Sequence, residues 1–408
     1  MKVENTEIEY DYLVDNLSKY IEIVESLQKD AYTQTKRPIL YRGETDNYYQ
    51  HNNNQPYFNA SAFRERSVEG YEGYEKGKNL PFQNNIESFK YEVWAELDDD
   101  TRNSFLAYSQ HHGIKTNLID FSLNPLIALY FAVESYIDNL NNKRINTEKP
   151  GYVYILDVPV LDVTPLFEQT GETNLLDIIT TNDKDLLDMI INLLGDFSKD
   201  NNEFLEQHFY LLCQDYYRNA HDDENEELVI EKGNDEDLVS QIVEKIVQSE
   251  EHRYIRDFYN SYHTDGPLYL YYLIVLRGYI ELKKEKFLPI GREFSGAIPM
   301  VYKPIMNFKR GTNQNGIFLY QNYTVSPGGF LLDTQLIKPT KIIKVENKGE
   351  IIRSLDNINI NSKFIYGDHS SIAQYIENKY QEVKRAQESF NEEYYRALGK
   401  ELQIKKEF

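Results

Sequence analysis

Runs with strand character are short and widely scattered in this chain. Pro38-Ile39-Leu40-Tyr41, Gly151 to Val158, Ala297 to Tyr302, Gly316 to Tyr320 and Lys341 to Glu346 carry β-branched or aromatic residues over a few positions each. Between them lie long patterns with apolar residues at intervals of three and four, the mark of helices packed on one face. Such a chain folds as α+β: a mixed core of short strands flanked by helices.

The helical patterns divide it. Tyr12, Leu13, Leu17, Tyr20, Ile21, Ile23, Val24 and Leu27 predict one amphipathic helix over about 11–29, in an N-terminal unit of residues 1–35. Residues 45–82, rich in Asn, Tyr, Gly and Glu, read as mostly loop. Ile86, Phe89, Val93, Trp94, Leu97, Phe105, Leu106 and Tyr108 predict helix over about 84–110, with a break at Asp98-Asp99-Asp100 and a stop at Gly113. Ser122 or Asn124 suits the cap of the next helix and Pro125 its first turn, while Leu126, Ile127, Leu129, Tyr130, Phe131 and Val133 make it largely buried. From 165 to 290 the character changes to helical patterns such as Leu186 to Leu194. An acidic stretch from Asp222 to Asp237 holds nine acidic residues and one lysine and stays solvated by self-repulsion. The expected organisation is a core in two parts, 36–164 and 291–380, a helical insertion over 165–290, and a helical tail over 381–408; the closing helix covers about Ser370 to Leu398.

Charge and cysteine usage exclude several classes. The 408 residues include 44 Lys+Arg against 66 Asp+Glu, a net charge of -22, which is the wrong sign for coating nucleic acid by counterion release. Any nucleic-acid contact must be local. The single Cys213 closes no intrachain disulfide and supplies no paired-cysteine zinc site, which fits a reducing cytoplasm. No apolar signal segment or run of ~18 apolar residues is present, so neither a leader nor a membrane partner is expected. Phosphate-binding glycine loops, the Rossmann glycine pattern, His-Glu-x-x-His and the nucleophile elbow are all missing.

What remains is a constellation of polar residues on short strands and turns: Arg42 and Glu44; His111 and His112; Thr116, Asp120 and Ser122; and Arg310, Gln314 and Gly316. The histidines admit three roles: one ring caps the helix and the other packs, one acts as a general acid or base near pH 7, or both join Asp120 around a divalent metal for hydrolysis. Adjacent histidines at a helix end point in different directions. Asp120 is expected to hydrogen-bond backbone amides of the Gly113–Ser122 turn, or else to serve as a ligand or catalytic carboxylate.

Tyr41-Arg42-Gly43 resembles the signature of the FRG family, a bacterial domain named for its Phe/Tyr-Arg-Gly motif. The resemblance continues in Ser61-Ala62-Phe63-Arg64, which lacks the family's preceding proline, and above all in Gln110-His111-His112-Gly113-Ile114-Lys115-Thr116-Asn117-Leu118-Ile119-Asp120, similar to Gln-His-x-Gly-x-x-Thr-x-Leu-x-Asp. Pro125 to Ala132, Arg310-x-x-x-Gln314-x-Gly316-x-Phe318 and Tyr366-Gly367-Asp368 extend it, so that it covers about 38–160 and 297–377.

A fainter resemblance, through Tyr41-Arg42-Gly43 and Phe121-Ser122 before the Ala128-x-x-Phe131 helix, is to the Arg-Ser-Glu class of ADP-ribosyltransferases. It implies an ADP-ribosyltransferase-like fold that binds NAD, with Arg42 on phosphate or ribose and Ser122 orienting the ribose. Tyr41, Gly43, Glu44, Thr116, Arg310 and Gly316 would complete the nucleotide site, and His111, His112, Asp120 and Gln314 the catalytic set. The class places a glutamate on a late strand; this chain has Gln314 there, leaving Glu44, Asp120 or Glu293 as substitutes. The family association implies bacterial toxin or anti-phage defence, with a protein or nucleic-acid acceptor. Two other functions stay open: a catalytically silent module that senses a nucleotide or partner, and a metal-dependent hydrolase using His111, His112 and Asp120.

Overall fold

The computed structural model describes residues 8–34, 37–47, 57–63, 82–134, 136–138, 143–145, 149–171, 174–181, 183–220, 236–248, 256, 266–285, 293–305, 309–325 and 331–404. Arg64, most of the Asn- and Tyr-rich stretch before residue 82, and the acidic stretch up to residue 235 lie outside them.

The strands are β1 (Tyr12–Val14), β2 (Leu40–Glu44), β3 (Leu118–Ser122), β4 (Tyr136–Asp138), β5 (Lys143–Ile145), β6 (Gly151–Leu156), β7 (Leu161–Asp162), β8 (Glu293–Phe294), β9 (Met300–Tyr302), β10 (Gly316–Tyr320), β11 (Tyr323–Val325), β12 (Leu331–Gln335) and β13 (Lys341–Val345). Eight form one mixed sheet in the order β1-β13-β6-β2-β3-β10-β9-β7. Its outermost pairs, β1–β13 and β9–β7, are parallel and the inner pairs antiparallel. A smaller sheet has the order β11-β12-β8, and β4 pairs with β5. With helices over both faces of the large sheet, the fold is α+β, as expected from the scatter of strand-like runs.

One face of the large sheet packs Val14, Tyr41, Val153, Ile155 and Ile343 against helices Leu17–Gln34, Pro125–Val133 and Lys348–Asn357. Helix Pro125–Val133 begins where the sequence predicts, with Pro125 in its first turn and the Asn124 side chain accepting the Leu126 N–H at 2.9 Å. It crosses β2 and β6 at backbone contact. A Cβ added at Gly43 would lie 1.7 Å from the Ala128 carbonyl oxygen, and one at Gly151 2.0 Å from that of Ala132. No side chain fits in either gap, so these glycines set how closely the helix sits on the sheet.

The other face carries the larger core, where Leu40, Phe121, Tyr154 and Leu156 share one apolar cluster with Leu187, Leu212 and Tyr272. Those three belong to the long helices Lys184–Ala220 and Leu268–Glu285 of the segment 165–290. Polar bonds tie these helices to the later strands. The Asp215 carboxylate accepts the Ser295 and Gly296 N–H groups at 2.9 Å each, and Lys283 pairs with the wholly buried Asp333 of β12 at 2.8 Å.

The first helix starts later than the periodicity predicts. Tyr12–Val14 forms the edge strand β1, and the helix begins at Leu17, with the Asn16 side chain accepting the Lys19 N–H. The cause is a distant partner: Asp11 bonds Ile342 through both its backbone N–H and its carboxylate, and Glu346 donates to the Val14 carbonyl. Strands β7, β8, β11 and β12 also lie where no strand is expected. The helix over 84–110 breaks as anticipated, into Phe82–Val93, Asp99–Asn103 and Phe105–His111, with Asp98 accepting the Thr101 N–H at 2.7 Å. Among the described residues no helix is long and apolar enough to cross a membrane.

Candidate functional site

The large sheet is nearly divided at its centre. β2 is in register with β6 over five residues, and β3 with β10 over five, yet β2 and β3 meet only at Tyr41 and Ser122. Beyond that rung the strands part, along the stretch that holds Arg42, Glu44 and Asp120. Arg42 occupies the parting. Its Nε donates to Glu44 Oε1 at 2.9 Å and its Nη1 to the Asp120 carbonyl at 2.8 Å, with the Asp120 carboxylate 4.0 Å away. The guanidinium thus meets a strand carbonyl that a continuous ladder would have used.

This ion pair sits largely out of water, with side-chain exposures of 13% for Arg42 and 7% for Glu44, whereas the Asp120 side chain is 68% exposed. Withdrawing a carboxylate this far is tolerated only with a cation and hydrogen bonds in place. The strand alternation accounts for the pairing: Arg42 and Glu44 lie two residues apart and therefore on one face of β2.

A second layer fixes the Asp120 side. Gln110 Nε2 donates to Asp120 Oδ1 at 2.8 Å, and the Thr116 hydroxyl donates to Gln110 Oε1. Thr116 is fully buried, and Ser61 braces it, accepting its N–H at 3.1 Å. Gly113, at φ +86°, ends helix Phe105–His111 and lets the chain turn back to place Thr116 and Asp120 beside Gln110. The bond of Asp120 to the Gln110 side chain corrects the expectation that its carboxylate binds backbone amides of this turn. Gln110 is the member missing from the expected site; its signal is its own place at the head of the 110–120 motif.

Other expected residues form an adjoining group. Ser122 donates to the Gln314 carbonyl at 2.7 Å and accepts the Asn124 N–H at 3.0 Å, and Gly316 is its register partner on β10. The Gln314 amide donates to the Ile365 carbonyl at 3.4 Å. Arg310 lies 5.2 Å over the Tyr366 ring, and the Tyr366 hydroxyl is bonded to Glu134 at 2.8 Å. Burial of the His111 ring, with the charges of His112 and Arg310, lowers its pKa. The His111 and His112 rings stand edge to face at 5.2 Å, and His112 packs on Tyr108 at 4.4 Å.

The expected residues therefore separate by role. Arg42, Glu44 and Asp120 come together at the parted strands, while His111 packs edge to face on His112 and Arg310 lies over Tyr366. Ser122, Gln314 and Gly316 gather at the single rung. Tyr41 and Thr116 face inward: Tyr41 is buried in the core, where desolvation pushes its phenol up to about 12, and Thr116 holds Gln110, while the half-buried Gly43 abuts Ala128. Tyr41 and Thr116 therefore position the site without presenting a surface to a ligand. Among the described residues no three His, Cys, Asp or Glu side chains come together to hold a metal ion, so the hydrolase reading has no ligand set there.

No curated protein and no solved structure matches the chain. One family model does, over residues 37–140, a span that includes β2, the Gln110–Thr116–Asp120 turn, β3 and helix Pro125–Val133. The parted strands and their Arg42 thus belong to an FRG domain.

Proposed function

We propose that the parted strands form a nucleotide site at which NAD is bound and cleaved, in the manner of an ADP-ribosyltransferase. The Arg42–Glu44 pair at the gap between β2 and β3 carries this reading: a guanidinium and a carboxylate side by side, shielded from bulk water and oriented by each other. A guanidinium held in this way suits a diphosphate, whose oxygens accept parallel N–H bonds. Arg310, resting on Tyr366 in the adjoining group, offers a second cation.

NAD supplies an activated glycosidic bond, which breaks as nicotinamide leaves with the bonding electron pair. Positive charge then develops on the ribosyl carbon. Gln314 is neutral and turned toward the Ile365 carbonyl, so Glu44 is the carboxylate we assign to stabilise that charge. The exposed Asp120 at the rim accepts the proton that the attacking group gives up, that group being water or a nucleophile on a protein or nucleic-acid acceptor. The setting we infer is bacterial toxin or anti-phage defence.

Incubating the protein with NAD, with and without a cell lysate as a source of acceptors, tests the activity by chromatography of free nicotinamide. Release by the wild type and its loss in Glu44→Gln is the expected result. A second reading, a catalytically silent nucleotide sensor, is favoured by the neutral Gln314 and by the bonds Arg42 already makes. It predicts an NAD-dependent rise in melting temperature without nicotinamide release. Absence of both effects removes the NAD reading in either form.

A further inference from the structure

The C-terminal helix His369–Ile404 outruns the body that anchors it. Tyr375 donates to Asp356 at 2.7 Å and Lys379 pairs with the same carboxylate at 2.5 Å. Beyond Lys379 the helix continues for about 25 residues, a rod of about 37 Å at 1.5 Å per residue. Every side chain from Glu382 to Arg396 is exposed.

That rod carries an apolar stripe. Ile376, Tyr380, Val383, Phe390 and Tyr394 recur at the alternating three- and four-residue steps of a heptad, with the polar Gln387 at the one intervening position. Each of the five is exposed, from 54% at Tyr394 to 68% at Phe390. A seam of this width matches a single partner helix rather than a broad core. A lone helix in water is marginal, and its stripe is stabilised by being covered.

Charge selects the covering partner. Residues 380–404 hold four Lys or Arg and five Glu, close to neutrality in a chain of net charge -22, so the rod has no cationic face for a membrane or a nucleic acid. Charges of both signs flank the stripe, as in helices that pair with one another. A projecting contact also lets two acidic bodies associate without bringing their surfaces together.

We propose that this helix pairs with the same helix of a second copy of the chain, forming a short two-stranded coiled coil through Ile376, Tyr380, Val383, Phe390 and Tyr394. Light scattering on the full chain across a dilution series is the test. The wild type is expected to show twice the single-chain mass at high concentration and to dissociate on dilution. The double substitution Phe390→Glu with Tyr394→Glu should halve the mass at the same concentration and leave the melting of the body unchanged; Glu392→Gln, off the stripe, should leave the mass doubled. A single-chain mass for the wild type at every concentration, or a doubled mass that the stripe variant retains, overturns the proposal.

Discussion

Arg42 neutralises the buried Glu44 and bridges to the Asp120 carbonyl across the gap in the sheet. Removing it leaves a carboxylate that is 7% exposed without its cation. Arg42→Ala should therefore cost about 3–5 kcal/mol of stability, while Arg42→Met combined with Glu44→Leu, which removes both charges, should recover most of that loss. Melting temperatures of the three proteins decide it, and equal losses for the single and double variants would show that the ion pair is not what holds this position. The same reasoning makes Arg42→Lys the better functional variant, since lysine keeps the charge but lacks the fork that reaches Glu44 and the strand carbonyl together.

At the scale of elements, the tightest constraint is helix Pro125–Val133 lying on β2 and β6. Gly43→Ala places its methyl within 1.7 Å of the Ala128 carbonyl oxygen, so the helix must lift from the sheet. We expect a loss of about 3 kcal/mol or more, seen as a lower melting temperature; a variant as stable as the wild type would mean that the helix can move away freely. Helix Lys184–Ala220 is joined to the segment after β8 through the buried Asp215 carboxyl. Burial raises the Asp215 carboxyl from its ordinary value of 3.8 to about 6, outweighing the opposing effect of the Gly296 and Ser295 N–H groups and Arg218. Because the folded-state value is the higher one, the stability this group contributes is complete below about pH 4 and is lost as pH rises through about 6. Relative to Asp215→Asn, which mimics the neutral acid, the wild type should lose roughly 3 kcal/mol between those limits. Paired thermal melts at pH 4 and pH 7 measure it, and a constant difference between the proteins would contradict the buried-acid account.

Legibility also divides by element. Helix Pro125–Val133, β10 and the stop at Gly113 follow from local signals: a capping residue, a proline, an apolar run and a glycine at positive φ. Strand β1 does not, because Tyr12–Val14 carries the same apolar spacing as a helix and is fixed by Ile342 and Glu346, more than 300 residues away. Gln110 and Thr116 were visible as motif residues, but their bracing of Asp120 depends on a turn that only the fold supplies. Tyr41 and Gly43 carry the name-giving motif, and the structure gives them packing roles.

At the scale of the whole molecule, a chain of net charge -22 that binds an anionic nucleotide must do so against its own field, and so needs its cations concentrated in one place. Under the proposed nucleotide reading, Arg42 at the parted strands and Arg310 over the Tyr366 ring would supply them. The near-neutral C-terminal rod is the other departure from that acidic background. Calorimetric titration of NAD into the wild type, Arg42→Lys and Glu44→Gln tests most directly the proposal that the gap between β2 and β3 grips NAD through Arg42. The wild type is expected to bind, Arg42→Lys to bind at least about tenfold more weakly through loss of the guanidinium fork, and Glu44→Gln still to bind. Affinity unchanged in Arg42→Lys, or no binding by the wild type, would contradict it.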